Sequence, residues 1–430
     1  MGESPTGAKP VLGPKPQLEG GVNSLKETLE RLYARVPLGR KLGLERMQAA
    51  CDALGNPERS FQAVHVAGTN GKGGVSAFLA SMARASGRRV GLFTSPHLNR
   101  FAERIVIDGE PISDAEVVRY VNQVLDVASP EMTFFEVTTA AAFLAFRERG
   151  VELAVLEVGL GGRLDATNVI PPPLIAVITR VAFDHMDLLG GTLAEIGAEK
   201  AGIIKQGSKV VVGKLHPDAL EAVRQRANQV GAQVVELGSA EPYPGAQLAY
   251  PRMAMFGTNL AVAATAARLL GVSPEAMARG IEETVWPGRN ELLHRNGQEL
   301  TLLDCCHNPD GAVLLSHIID ATAAETVGSR RNIALVFGAT EGKNWSAMLA
   351  RLEHTAGHRV YARPSARGVD PALLAARYPG DIAESIPAAL QRARSLVGAR
   401  GLVVVTGSIF LVGPARAALL GLESDPPVDA

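Results

Sequence analysis

The sequence predicts an α/β protein: a mainly parallel sheet wrapped by helices, followed by a smaller, Rossmann-like C-terminal α/β domain. Three observations carry this. Short apolar, β-branched runs at 63–67, 89–94, 151–158, 174–180 and 209–213 alternate with helical patterns at 75–85, 114–127, 136–149, 192–204 and 217–230. Apolar runs this short are the mark of strands buried on both faces of a parallel sheet. A glycine-rich turn joins the first strand to the helix at 75–85. After Trp286-Pro287-Gly288-Arg289 a second alternating block begins, with strands at 300–304, 332–337 and 402–406 and helices at 310–324, 344–352 and from 413 onward.

A chain of 430 residues calls for more than one domain. Residues 1–23 are rich in Gly and Pro and lack an apolar core, so a disordered tail is expected there rather than a signal peptide. Gly2 and Thr6 fit a myristoylation pattern, which Glu3 and Pro5 argue against. Order is expected from Ser24, where Ser24 and Glu27 form a capping-box signature ahead of Leu25, Leu29 and Leu32. The expected division is 24–286 for the first domain, 287–298 for a linker and 299–430 for the second domain.

Composition narrows the function. Hydrophobic residues make up 47% and charged residues 20%, which excludes global disorder. The net charge of −1 argues against a nucleic-acid partner. No apolar run reaches the ~18–20 residues of a membrane span. Cys51, Cys305 and Cys306 have neither disulfide-framework nor zinc spacing, and read as small buried residues in a reducing compartment. A cytoplasmic monomer is the expectation.

The segment Val66-Ala67-Gly68-Thr69-Asn70-Gly71-Lys72-Gly73-Gly74 is the most informative in the chain. A glycine loop between strand and helix aims backbone N–H groups at phosphate oxygens, and the helix N-terminus adds partial positive charge. Lys72 supplies a full charge for the β/γ-phosphates. The first domain is thus expected to be a P-loop domain that binds a nucleoside triphosphate. The spacing departs from the common pattern, because Gly68 lies three residues before Gly71 and Gly74 stands where a hydroxyl is usual. Taken alone, the loop also fits a plain tight turn.

Several predicted strand ends carry polar residues. Thr94 and Ser95 end one, and Glu157 ends another ahead of Gly159-Leu160-Gly161-Gly162. A carboxylate at the mouth of a parallel sheet suits Mg²⁺ shared with phosphates; a satisfied core carboxylate is the alternative. Asp184-His185 lies at the same expected mouth. Lys200, in Glu199-Lys200-Ala201-Gly202-Ile203, reads on chemistry alone as a snorkelling lysine. In the second block, Asp304-Cys305-Cys306-His307-Asn308-Pro309 ends a strand and opens a helix. A capped turn with proline at the first helical position explains Asn308 and Pro309, but not Asp304, a candidate ribose acceptor, or His307.

In order along the chain, these segments resemble the folylpolyglutamate synthase/dihydrofolate synthase family of the Mur ligase superfamily. The resemblance runs from about Ser24 to the final helix. It rests on Leu42-Gly43-Leu44-Glu45-Arg46-Met47, the glycine loop, Thr94-Ser95-Pro96-His97, Phe101-Ala102-Glu103-Arg104-Ile105 and Phe135-Glu136. It continues through Leu156-Glu157-Val158-Gly159-Leu160-Gly161-Gly162-Arg163-Leu164-Asp165-Ala166-Thr167-Asn168, Asp184-His185 and the Lys200 segment. Pro287-Gly288-Arg289, His307-Asn308-Pro309 and Thr406-Gly407-Ser408 complete it.

The resemblance implies an ATP-dependent ligase that converts a carboxylate of dihydropteroate or a reduced folate into an acyl phosphate, which the amino group of L-glutamate then attacks. It implies that Thr69, Asn70, Gly71, Lys72 and Gly73 hold the ATP phosphates, and that Asn259, Arg289 and Asp304 contact the nucleotide. Ser95, Glu157 and His185 are the implied ligands of Mg²⁺, at two sites. Lys200 matches a carbamylated lysine that bridges metal, the reverse of its plain chemical reading. Thr133, Phe134, Phe135, Glu136, Leu164, Asp165 and Ala166 match a pteroate pocket. His307 and Ser408 fall where glutamate is expected. Lys72, Lys200 and His307 are the implied catalytic residues. An acyl phosphate hydrolyses readily, so ATP contacts on both domains would close the site, with a hinge near 287–289.

The sequence departs from the family at Lys41, Gly74, Met255-Phe256, Cys305-Cys306 and Gly342. Two other readings stay open at this point: a ligase of the superfamily with another carboxylate and amino acid, and a nucleotide-binding protein without catalysis, for which Gly74 speaks.

Overall fold

The computed structural model describes residues 24–35, 43–237, 257–294 and 299–426. The expected tail, Lys41-Leu42 and Met255-Phe256 lie outside them.

The first sheet is built from β1 (Gln62–Ala67), β2 (Val90–Phe93), β3 (Ile105–Ile107), β4 (Glu110–Pro111), β5 (Leu153–Glu157), β6 (Ile175–Ile178), β7 (Lys209–Val212) and β8 (Gln233–Glu236). Its eight strands run in the order β4-β3-β2-β5-β1-β6-β7-β8. All neighbours are parallel except β2 with β3 and β3 with β4. β1 lies inside the sheet, paired with β5 and β6, so Val64, His65, Val66 and Ala67 are all completely buried. A parallel sheet needs cover on both faces, and alternation along each strand supplies both. Val64, Val66 and Val155 pack with the helices Lys72–Ala85, Gly257–Leu269 and Pro274–Glu282. Ala63, Ala154 and Leu156 pack with Leu25–Tyr33, Asp114–Val127 and Phe134–Glu148.

The second sheet comprises β9 (Glu291–Leu293), β10 (Leu300–Asp304), β11 (Ile333–Phe337), β12 (His358–Tyr361), β13 (Asp381–Ile382) and β14 (Leu402–Thr406). Their order is β13-β12-β11-β14-β10-β9, parallel except for β9 against β10. Pro309–Thr326 and Trp345–Leu352 cover one face, and Ile386–Val397 and Ile409–Leu420 the other. β9 falls within 287–298, so the second sheet already begins inside the expected linker; residues 295–298 lie outside the described residues.

The capping box at Ser24 is present, with Glu27 N–H donating to Ser24 Oγ. The last helix begins at Ile409 rather than at Gly413. Gly413-Pro414 looks like a helix start because proline suits the first turn. Here Ser408 is the cap, accepting from Phe410 N–H at 3.2 Å, and Pro414 sits inside the helix. The carboxyl ends of β1, β5 and β6 meet those of β10 and β14 around one cavity, the usual place for a ligand in such sheets.

Candidate active site

The cavity has a volume of about 1020 Å³ and is lined from both domains. The glycine loop forms one wall. Gly71, at φ +88°, lies in the left-handed region and caps the helix Lys72–Ala85 with no side chain of its own. A Cβ there would meet Asn259 Oδ1 at 2.4 Å, so glycine is what lets Asn259 lie against the loop. Thr69 ties the loop to the segment after β6: its N–H donates to Arg180 O at 2.6 Å, and its hydroxyl donates to Ala182 O at 3.0 Å. The N–H groups at the start of the helix are left for a ligand. Among the described residues, Lys72 Nζ reaches only Thr69 O, at 3.4 Å.

Glu157 ends β5 beside the loop and is 5% exposed. Its Oε2 accepts from Ser95 N–H at 2.9 Å, and no hydrogen bond to its other oxygen exists among the described residues. Burial raises its pKa, opposed by Lys72, the Ser95 N–H, Arg289 and Arg104. His185 caps a short helix in the left-handed region, at φ +51°. Burial and then Lys343 hold its pKa below the ordinary histidine value, so the imidazole is neutral and able to bind metal. Lys200 is only 3% exposed, and its amine has no hydrogen bond or ion pair among the described residues. Burial, reinforced by Lys72, lowers its pKa to about 7.

The second domain closes the other side. Arg289 donates to Cys305 O at 2.8 Å. Asp304 accepts from Asn290 N–H and Cys306 N–H, each at 2.9 Å. His307 holds its Nδ1 3.1 Å from Cys305 O, which fixes the proton on Nδ1 and leaves Nε2 as an acceptor. The part of its ring that is not covered faces the cavity, and burial, Lys343 and Arg289 lower its pKa to about 4. Lys343 pairs with Asp184 at 2.8 Å. Asp310 accepts from Arg180 Nε at 2.7 Å and from Asn70 Nδ2 at 2.7 Å, while Asn70 and Asn308 exchange amide hydrogen bonds at 2.9 and 3.2 Å.

An aromatic arm opens from the same cavity. Tyr33 and Phe134 have ring centroids 5.7 Å apart, and Arg104 lies 5.0 Å over the Phe134 ring. Arg104 is 4% exposed and donates to His97 Nδ1 at 2.7 Å. Phe135 lines the cavity against Gly159, where a Cβ would meet its ring at 2.5 Å.

The structure therefore gathers Thr69, Asn70, Gly71, Lys72, Gly73, Ser95, Phe134, Phe135, Glu157, His185, Lys200, Asn259, Arg289, Asp304 and His307 around one space. It sets Thr133, Glu136, Leu164, Asp165, Ala166 and Ser408 outside that lining. Thr133 and Glu136 form a capping box, with Arg46 on Glu136 at 2.9 Å. Asp165 is spent on Leu160 N–H, Thr167 N–H and the Thr167 hydroxyl. Ser408 caps its helix and pairs with Thr340 at 3.1 Å. Sequence reasoning did not single out Tyr33, Arg104, Arg180, Asp310 or Lys343 as site residues. Arg104 lies in the quoted segment 101–105 without a role assigned to it, and the other four stand in none of the quoted motifs; their partners in space reveal all five.

A family model described as the Mur ligase middle domain matches residues 66–265, and one described as the Mur ligase, glutamate ligase domain matches residues 288–409. The dihydrofolate synthase/folylpolyglutamate synthase of Bacillus subtilis is 38% identical over 364 residues, which cover 77% of this chain and 83% of that protein. The chain belongs to the folylpolyglutamate synthase/dihydrofolate synthase family of the Mur ligases. Its fold and enzyme class are those of an ATP-dependent ligase. E. coli FolC in complex with DHPP and ADP superposes on this ligase with a TM-score of 0.81 at 28% identity, covering 94% of this chain and 99% of that one. The bifunctional enzyme of Yersinia pestis with Mn, AMPPNP and L-glutamate bound gives a TM-score of 0.79 at 30% identity, covering 94% and 100%. Among the described residues, no helix of the ligase is long and apolar enough to cross a membrane.

Proposed function

We propose that this ligase joins L-glutamate to dihydropteroate, to a folate glutamate, or to both, through an acyl phosphate made with ATP. The observation that carries this reading is the single cavity in which the glycine loop, Glu157 and Lys200 meet an aromatic arm on one side and Arg289, Asp304 and His307 on the other. The DHPP, ADP and L-glutamate in the related structures support the same choice of ligands.

In this reading Thr69, Asn70, Gly71, Lys72 and Gly73 hold the triphosphate through backbone N–H groups and the Lys72 charge. Asn259, Arg289 and Asp304 hold the nucleotide from the facing side. The flat part of the carboxylate substrate lies in the aromatic arm against Phe134 and Phe135, with Thr133, Glu136, Leu164, Asp165 and Ala166 shaping that wall from behind. The substrate carboxylate oxygen attacks the γ-phosphorus and ADP departs. The amine nitrogen of L-glutamate then attacks the acyl carbon and phosphate departs. His307 Nε2 accepts the proton that the amine sheds, and Ser408 supports the glutamate side from the second domain. Both domains must meet over the acyl phosphate to keep water out.

The residues present fit a divalent cation. Among the described residues one Glu157 oxygen has no hydrogen-bond partner, burial and Lys343 lower the His185 pKa, and the buried Lys200 amine makes no ion pair, the charges of Asp184, Asp165 and Glu199 only partly offsetting its burial. Ser95, Glu157 and His185 would hold the cation, which supplies positive charge to the transferring phosphoryl group. Lys200 is proposed to carry a carbamate, which replaces a buried cation by a carboxylate that a metal neutralises.

The test is ATP-dependent incorporation of labelled L-glutamate, with dihydropteroate and tetrahydrofolate run side by side. Product with dihydropteroate establishes the dihydrofolate synthase step. Product with tetrahydrofolate alone leaves polyglutamation. No product with either, in a protein that binds ATP, would sink the reading.

A further inference from the structure

The segment after the last helix returns to the first domain and enters the aromatic arm. Asp425 N–H donates to Asn99 O at 2.9 Å, and Asp425 Oδ2 accepts from Phe101 N–H at 2.6 Å. Asp425 Oδ1 lies 3.0 Å from Arg100 Nε. Asn99 Nδ2 donates to Ser424 Oγ at 3.0 Å and to Gly413 O at 2.8 Å. Two acidic side chains two residues apart are treated differently by the fold: that of Glu423 is 90% exposed, that of Asp425 only 8%. Solvated tails do not bury a carboxylate in this way without a compensating site.

Ser424, Asp425 and Pro426 line the same cavity as Tyr33, His97, Arg104 and Phe134. Three polar groups of this arm are incompletely paired. Tyr33 Oη is buried with no hydrogen-bond partner among the described residues. Arg104 makes one side-chain hydrogen bond, to His97, and no ion pair among them. Asp425 Oδ2 accepts one hydrogen bond, from Phe101 N–H, while Oδ1 lies in an ion pair with Arg100 and accepts no hydrogen bond among the described residues. Its charge is close enough to Tyr33 to raise the phenol pKa, while Arg104 lowers it, so the three groups share one neighbourhood. Donors from Tyr33 and Arg104 next to an acceptor from Asp425, walled by aromatic rings, suit a flat heteroaromatic ligand whose edge carries both carbonyl oxygen and N–H groups.

We propose that residues 423–426 form a specificity-determining wall of the carboxylate-substrate arm, in which Asp425 accepts hydrogen bonds from the aminopyrimidinone edge of a pterin. This rests on the proposed function above. Asp165, whose carboxylate is already saturated by Leu160 and Thr167, does not supply such an acceptor to the cavity. Because the wall belongs to the second domain and is fastened to Asn99, Arg100 and Phe101 of the first, it also makes the arm complete only when the two domains are together.

The experiment compares wild-type protein with Asp425→Asn, with a deletion of residues 423–430, and with Asp114→Asn. Asp114 pairs with Arg100 on its exposed side and serves as the control. Dihydropteroate binding is measured by calorimetry with ADP present, alongside KM for dihydropteroate, ATP and L-glutamate. The deletion is expected to weaken dihydropteroate binding and raise its KM by about tenfold or more, the effect of losing a hydrogen bond to a charged group. Asp425→Asn is expected to do so by about fivefold, ATP KM staying within about twofold in both. Dihydropteroate binding unchanged in the deletion would overturn the proposal, as would equal changes in all three KM values and kcat, which would mark a mere clasp between domains. Wild-type protein that binds no dihydropteroate would overturn the functional reading itself, and this proposal with it.

Discussion

Asn70 of the glycine loop and Asp310 of the second domain are joined by a hydrogen bond of 2.7 Å, and the same carboxylate oxygen receives Arg180 Nε at 2.7 Å. Asn308, the cap of the helix Pro309–Thr326, completes the junction through its paired amide with Asn70. The loop that is to hold phosphate is thus fastened to the other domain by its own side chain. The side chain of Arg180 is 55% exposed, so water screens the ion pair and its share is small. The hydrogen bonds on Asp310 converge, however, and together favour the closed arrangement.

Asp310→Ala is expected to loosen that closure, lowering kcat/KM about tenfold, the scale of one hydrogen bond to a charged group. Acyl phosphate would then be lost to water. The check is phosphate released per glutamate incorporated, which should rise above one in the variant and remain at one in the wild type. Arg180→Ala should show the same change more weakly. A ratio of one and an unchanged rate in Asp310→Ala would dismiss the junction as incidental.

Gly74 and Gly71 make opposite predictions three residues apart. A Cβ at Gly74 would meet only Asn259 Nδ2, at 3.6 Å, and its backbone is not left-handed. Gly74→Ser should therefore fit and add a hydroxyl donor near the phosphates. A gain of about tenfold in ATP affinity is the expected order. Gly71→Ala combines φ +88° with a 2.4 Å approach to Asn259 Oδ1 and should abolish ATP binding. Calorimetric ATP titration decides both. Weaker binding by Gly74→Ser than by wild type would show that the space at Gly74 is needed empty.

What the sequence made legible follows physical range. The glycine loop and Glu157 were readable because their local context, a buried strand leading into glycine, constrains chemistry within a few residues. The alternation also announced both parallel sheets. Lys200 was not readable from chemistry. A lysine on a helix normally snorkels, and only the packing of Leu193–Ala201 over the cavity makes it 3% exposed. Asn70 meets Asn308 across 238 positions of sequence, and Tyr33 and Asp425 line one cavity from opposite ends of the described chain. No periodicity encodes such pairs. The late start assigned to the last helix had a local cause: Pro414 outweighed the Ser408 cap, whose role depends on a backbone turn the sequence does not display.

Lys200 gives the third prediction. Only a neutral amine reacts with carbon dioxide, and burial brings the Lys200 pKa down to about 7 from the ordinary 10.5. Carbamate formation should accelerate as the pH rises through about 7 and be slow below it. Protein stripped of bicarbonate at pH 6 should lose ligation and recover it on addition of bicarbonate at pH 8. Lys200→Ala should lack ligation at either pH while keeping its fold. Labelled bicarbonate read by carbon NMR would detect the carbamate directly. Full activity of Lys200→Ala in bicarbonate-free buffer would sink the assignment.

His65 gives the last. It is completely buried in β1, with Nε2 2.7 Å from Thr167 Oγ1, whose proton goes to Asp165 Oδ1 at 2.5 Å. The threonine oxygen must then accept from His65, which fixes the proton on Nε2 and leaves Nδ1 buried and without a partner among the described residues. Burial, and after it the charge of Lys205, lowers the pKa from 6.5 to about 3. Between those values the unfolded chain binds the proton and the folded chain does not, so stability is full above pH 6.5 and falls as the pH drops toward 3. From pH 7 to pH 5 this one group should cost about 2 kcal/mol. His65→Gln keeps a side-chain donor and cannot titrate, so its loss of stability over the same interval should be smaller by that amount. Urea denaturation of both proteins at the two pH values measures the difference. Equal losses would mean that the imidazole reaches water or a proton acceptor in the folded state.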